Sequence, residues 1–93
     1  ALPGFTVVVP ADEIAMQKLL PQIVELKGPV YIRTSRPNAA LVYDQNSKLH
    51  LGKGHILREG SDLTIAAMGL MLVEALKAAE ALAEKGLSVR VVD

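Results

Sequence analysis

One order occurs twice along this chain: a short β-branched run, a helical run with an apolar face, and a second β-branched run. In the first half, Phe5-Thr6-Val7-Val8-Val9 lies between Gly4 and Pro10 and reads as a buried strand. Pro10 ends it, Asp12 stands where it would cap a helix, and Glu13 adds favourable charge in the first turn. Met16, Leu19, Leu20, Ile23, Val24 and Leu26 then recur at helical spacing, with Gly28 as the stop. Pro21 lies inside that run, where it removes a backbone donor and crowds the preceding turn, which predicts a kink or two short helices. Val30-Tyr31-Ile32-Arg33-Thr34 reads as the second strand. Residues 5–34 therefore predict a right-handed βαβ crossover with parallel strands.

The second half follows the same order. Asp62–Ala67 reads as a strand and Gly69 opens a turn. A helix from about Leu70 to Lys85 would turn Leu72, Val73, Leu76, Ala79, Leu82 and Ala83 inward and leave Glu74, Lys77, Glu80 and Glu84 wet. Gly86 closes it, and Leu87–Val92 is the last strand. Residues 37–61 have no long period. Extended candidates there are Leu41–Tyr43, Lys48–Leu51 and His55–Arg58, with turn signals at Asp44–Ser47 and Gly52–Gly54. Such a length is unusual for a loop inside one compact domain. The predicted fold class is α/β: two βαβ units with parallel strands, joined by a linker containing short strands.

Composition narrows the class further. Hydrophobic residues make up 51% of the 93 and aromatic ones only 3%, so the core must be aliphatic, as suits buried strands. Ten basic residues balance ten acidic ones, which gives no support for nucleic acid or an anionic membrane as a partner. No cysteine is present, so disulfide and thiolate chemistry are excluded. The N-terminus lacks the pattern of a signal peptide, and the longest apolar run, Ala66–Val73, falls short of the ~20 residues that span a bilayer. A soluble, cytoplasmic protein is expected.

Four stretches could carry chemistry. Gly52-Lys53-Gly54 lacks the longer spacing of a phosphate loop and reads as a turn. His50 and His55 would point to opposite faces of an extended chain and have no further ligands at metal spacing, so they read as surface histidines. Met68-Gly69-Leu70 joins a strand end to a helix start, where an anion can bind, but one glycine is equally explained by tight packing. Arg33-Thr34-Ser35-Arg36-Pro37-Asn38 is the most informative. It places two guanidinium groups and two hydroxyls at the carboxyl end of a buried strand, where ligands of open α/β sheets bind. Alternation puts Arg33 and Ser35 on one face. A phosphate site and an ion-paired, solvated edge both fit.

Gly28-Pro29-Val30-Tyr31-Ile32-Arg33-Thr34-Ser35-Arg36-Pro37 resembles the G-x-x-x-I-R-T-S-R-P segment of animal-type transketolases. Upstream, Val7-Val8-Val9-Pro10-Ala11-Asp12 is similar to the family's strand and P-A-D turn. Downstream, Gly52-Lys53-Gly54 and Leu57-Arg58-Glu59-Gly60 are similar to the linker entering its C-terminal domain, and Val89-Arg90-Val91-Val92-Asp93 to that domain's second strand. The resemblance implies three parts: residues 1–36 as the end of the pyrimidine-binding domain, 37–61 as an interdomain linker, and 62–93 as the start of the C-terminal domain. It implies an enzyme moving a two-carbon ketol unit between sugar phosphates, as in the pentose phosphate pathway, with thiamine diphosphate and Mg²⁺. Arg36 matches the arginine that binds substrate phosphate, and Arg33 and Ser35 would support it.

The family's G-D-G…N motif and its cofactor-activating glutamate are not among these residues. The chain alone is therefore expected to bind no cofactor and to be inactive. Its partners would be the rest of a transketolase chain or a second subunit. The alternative is a non-enzymatic α/β module that folds by self-association, most readily as a dimer. Bare faces at Val7, Val9, Ile65 and Val91, and the Leu72/Leu76/Ala79/Ala83 helix stripe, would then be covered by the second copy.

Overall fold

A computed structural model describes residues 3–34 and 41–93. The elements, in order, are β1 (Thr6–Val8), α1 (Glu13–Val24), β2 (Val30–Ile32), β3 (Ile56–Arg58), β4 (Leu63–Ala66), α2 (Met71–Glu84) and β5 (Val89–Val92). β1 pairs with β2 in parallel, Val7 opposite Tyr31, and β4 pairs with β5 in parallel, Ile65 opposite Val91. Both expected βαβ units are present. They form two separate sheets, β1-β2 and β3-β5-β4.

The third strand of the second sheet comes from the stretch between the units. β3 runs antiparallel to β5 with a register irregularity between Ile56 and Arg58. The other two extended candidates, Leu41–Tyr43 and Lys48–Leu51, are not strands. Side chains near α1 take their backbone groups instead. The N–H groups of Val42 and Tyr43 donate to Asp12 Oδ2, that of Leu51 donates to Gln22 Oε1, and Gln22 Nε2 donates to the Leu49 carbonyl. A backbone already satisfied by side chains has no need of a ladder.

α1 is one continuous helix across Pro21, not two pieces. The bond that Pro21 cannot make would have gone to the Gln17 carbonyl. Both residues lie on the exposed side, so water can replace the missing donor. Its buried residues are Ile14, Ala15 and Ile23, whereas Leu20 and Val24 of the expected face are exposed. The helix meets the core through Ile14 and Ala15 of its first turn and through Leu19, so the expected face is covered only in part, at Leu19 and Ile23. It also ends before Gly28: the Glu25 and Leu26 N–H groups bond the Gln22 and Ile23 carbonyls in a tightened last turn.

α2 buries Leu72, Ala75 and Ala79, with Leu76 and Leu82 half-buried, while Ala83 is exposed. Its end is a Schellman motif. The Gly86 N–H bonds the Ala83 carbonyl and the Leu87 N–H bonds that of Leu82, each at 3.0 Å, with Gly86 at φ +86°. On the opposite strand face, Val89 and Val91 are wholly buried. Leu72, Ala79 and Val91 were expected to be bare, and the chain covers them itself. Each such valine or leucine contributes roughly 1.5–3 kcal/mol. One core joins the two units, running from Ala11, Ile14 and Ala15 through Tyr43 and Leu49 to Leu72, Ala75, Ala79, Val89 and Val91. Val7 and Tyr31 remain half-exposed on the first sheet.

Candidate functional site

The carboxyl end of the β1-β2 pair carries Arg33, one of the candidate residues. The Arg33 N–H donates to the Val8 carbonyl at 2.9 Å, extending the pairing one residue beyond β2. The Arg33 side chain is exposed, and among the described residues the ion pair formed is Lys77–Glu74, remote from it in sequence. Ser35 and Arg36 lie outside the described residues. The residues flanking them are anchored on one turn. Before them, Arg33 is bonded to Val8. After them, Val42 and Tyr43 are bonded to Asp12, at the other end of the β1–α1 turn.

Asp12 is the hub of that turn. It is 7% exposed, and Oδ1 accepts the Ala15 N–H at 2.7 Å as the cap read from the sequence. Oδ2 accepts two further N–H groups, from Val42 at 2.6 Å and Tyr43 at 2.8 Å. No local spacing announces this second role, because the partners lie 30 and 31 residues away. The buried Tyr43 hydroxyl donates to the Asp93 carboxylate. Burial first, then the bond to Asp93 and the charges of Asp93 and Asp12, push the phenol far above its ordinary range. It therefore stays a neutral donor through neutral and mildly alkaline pH.

An open cleft of about 510 Å³ lies beside β1 and is bounded by the 49–55 stretch, with His50, Lys53 and His55 at its wall. His50 and His55 do not lie on one extended chain, because a turn at residues 51–52 separates them. The His50 N–H donates to His55 Nε2 at 3.2 Å, which folds the ring back over the turn. Gly52-Lys53-Gly54 is that turn, with the Lys53 N–H on the His50 carbonyl. At Met68-Gly69-Leu70, an added methyl on Gly69 would meet Val9 Cγ1 at 3.0 Å, so the glycine serves close approach to the β1 end. The adjoining groove of about 600 Å³ is lined by Ile65, Met68, Met71, Ala75 and Ala78, with Glu74 at its rim. Apolar walls and a carboxylate suit no anion.

Residues 52–93 match the family model described as transketolase, C-terminal domain. The chain is 45% identical over 92 residues to the 6-deoxy-6-sulfo-D-fructose transketolase subunit of Clostridium sp. (strain MSTE9), covering 99% of the chain and 29% of that protein. It is 39% identical over 95 residues to a putative transketolase C-terminal section from Methanocaldococcus jannaschii, covering 100% of the chain and 30% of that protein. Among solved structures, a split-gene transketolase in an inactive beta4 tetramer matches with a TM-score of 0.95 and 40% identity, over 100% of the chain and 31% of its own. The chain thus spans under a third of the length of these relatives.

Proposed function

The chain belongs to the transketolase family, and from that premise we propose that it forms part of a thiamine-diphosphate-dependent enzyme that transfers a two-carbon ketol unit between sugar phosphates. The observation that carries this reading is the whole-length match, in sequence and fold, to a subunit of a split-gene transketolase. Within it, residues 1–36 close a pyrimidine-binding domain, 37–61 connect, and 62–93 open the C-terminal domain. Arg36 is the anion-binding residue of the substrate site, with Arg33 and Ser35 beside it. A planar guanidinium can hold a phosphate through two parallel bonds. Thiamine diphosphate and Mg²⁺ are held by parts of the enzyme outside these 93 residues, in the rest of the polypeptide or in a partner subunit. Among the described residues no helix is long and apolar enough to cross a membrane, and the cytoplasm is the proposed location.

A second reading concerns the anion. The Clostridium relative is named for a sulfonated sugar, and a guanidinium serves a sulfonate as well as a phosphate. In the complete enzyme, Arg36→Ala should remove charge-assisted bonds of about 1.5–3 kcal/mol. That lowers kcat/KM roughly 10–150-fold for the anionic sugar and much less for an uncharged acceptor. Measuring phosphorylated, sulfonated and neutral sugars side by side identifies the anion. Equal losses on all of them would make Arg36 structural.

By itself the chain should neither bind the cofactor nor catalyse, and it should self-associate as a dimer or larger homo-oligomer. The exposed Val7, Tyr31, Leu20 and Val24 motivate this, as does the tetramer of the split-gene relative. Light scattering and calorimetry with thiamine diphosphate and Mg²⁺ test both points. A monomer, or micromolar cofactor binding, would contradict this account of the isolated chain.

A further inference from the structure

The closely packed pairs of regular elements all lie within one unit or the other: β1 with β2 in the first, and β3, β4 and α2 with β5 in the second. Besides the close approach of Gly69 to Val9, the units are bridged by the 41–51 stretch, which has no helix or strand of its own. Its outer side is docked along α1. Besides the two bonds to Asp12, Lys18 Nζ donates to the Gln45 carbonyl at 2.7 Å. One turn on, the Gln22 amide makes a matched pair, donating to the Leu49 carbonyl at 2.6 Å and accepting the Leu51 N–H at 2.9 Å. The other attachments reach the second unit. The Tyr43 hydroxyl meets Asp93 just after β5, and beyond the stretch itself His55 and Asp93 exchange both backbone bonds at 3.1 and 2.8 Å. Between these attachments, the side chains of Tyr43 and Leu49 are buried in the core that contains residues of both units.

We propose that residues 41–51 form a strap that couples the two βαβ units into one cooperative body, so that they open together instead of moving about a flexible connection. The physical basis is that the attachments at Tyr43 and Leu49 are backed by their own buried side chains, and that of Tyr43 also by its bond to Asp93. Releasing either side frees the core residues that the strap supplies to both units.

Native-state hydrogen exchange on the complete protein tests this with Gln22→Ala. The Leu51 amide and those of α1 should exchange roughly 5–30-fold faster, and the Ala67 amide, bonded to the Val92 carbonyl in the second sheet, should accelerate by the same factor. Tyr43→Phe removes one hydroxyl and keeps the ring. It should give the same joint pattern with a smaller factor, and it serves if Gln22→Ala does not accumulate. Acceleration confined to Leu51 and α1, with Ala67 unchanged, would overturn the coupling and leave the stretch a passive connection.

Discussion

Gly60→Ala is expected to leave little folded protein. An added methyl would lie 2.1 Å from the Val89 carbonyl carbon, 2.3 Å from the Arg90 nitrogen and 2.6 Å from the Val89 oxygen. All three are backbone atoms of β5, the central strand of the β3-β5-β4 sheet, so no side chain can swing aside. Relief requires the strand itself to move, and the strand is held on one edge by β3 and on the other by β4. Its Val89 and Val91 side chains are also wholly buried. The expected loss is about 4 kcal/mol or more, a large share of the stability of any small domain. Gly54→Ala is the matched control, because its methyl would press only on the Val92 side chain, at 3.1 Å, and would meet the Asp93 carbonyl oxygen at an ordinary contact distance of 3.6 Å. Denaturant unfolding of the two variants gives the comparison. If Gly60→Ala proves as stable as Gly54→Ala, the close approach to β5 is not a constraint.

Asp12→Ala should cost about 3–5 kcal/mol. The carboxylate ends three backbone N–H groups, those of Ala15, Val42 and Tyr43. Loss of a helix cap accounts for about 1 kcal/mol. The remainder comes from the Val42 and Tyr43 donors, each left without an acceptor at about 1–2 kcal/mol, since the Val42 bond is only partly buried. Two partial replacements separate the contributions. Asp12→Ser can still cap α1 but cannot reach both sites, and Asp12→Asn keeps one oxygen while turning an amide N–H₂ toward a donor. Both should recover the cap alone, about a quarter of the loss. Chemical denaturation that finds Asp12→Ser fully stable would reduce Asp12 to an ordinary cap.

Features whose physical cause sits within a few neighbours could be read from the residues alone. The β-branched runs around Val8 and Val91, the cap at Asp12 and the stop at Gly86 are of this kind, because propensity and capping act over one turn. The family followed from Arg33-Thr34-Ser35-Arg36-Pro37 for the same reason: the string is contiguous, so its meaning did not wait on the fold. Periodicity was right for Leu19 and Ile23 of α1 but also favoured Leu20 and Val24, and it passed over Ile14 and Ala15. A helix that touches the core through its first turn buries by position along the axis as well as by angle around it. Tertiary structure decided the rest. β3 joined β5, Gly60 came to lie against Val89, Gln22 took the place of a strand for Leu49 and Leu51, and Tyr43 found Asp93 fifty residues away, at a separation of 50. These pairings depend on which surfaces the core leaves adjacent once it has closed, and no pattern of neighbours along the chain encodes that.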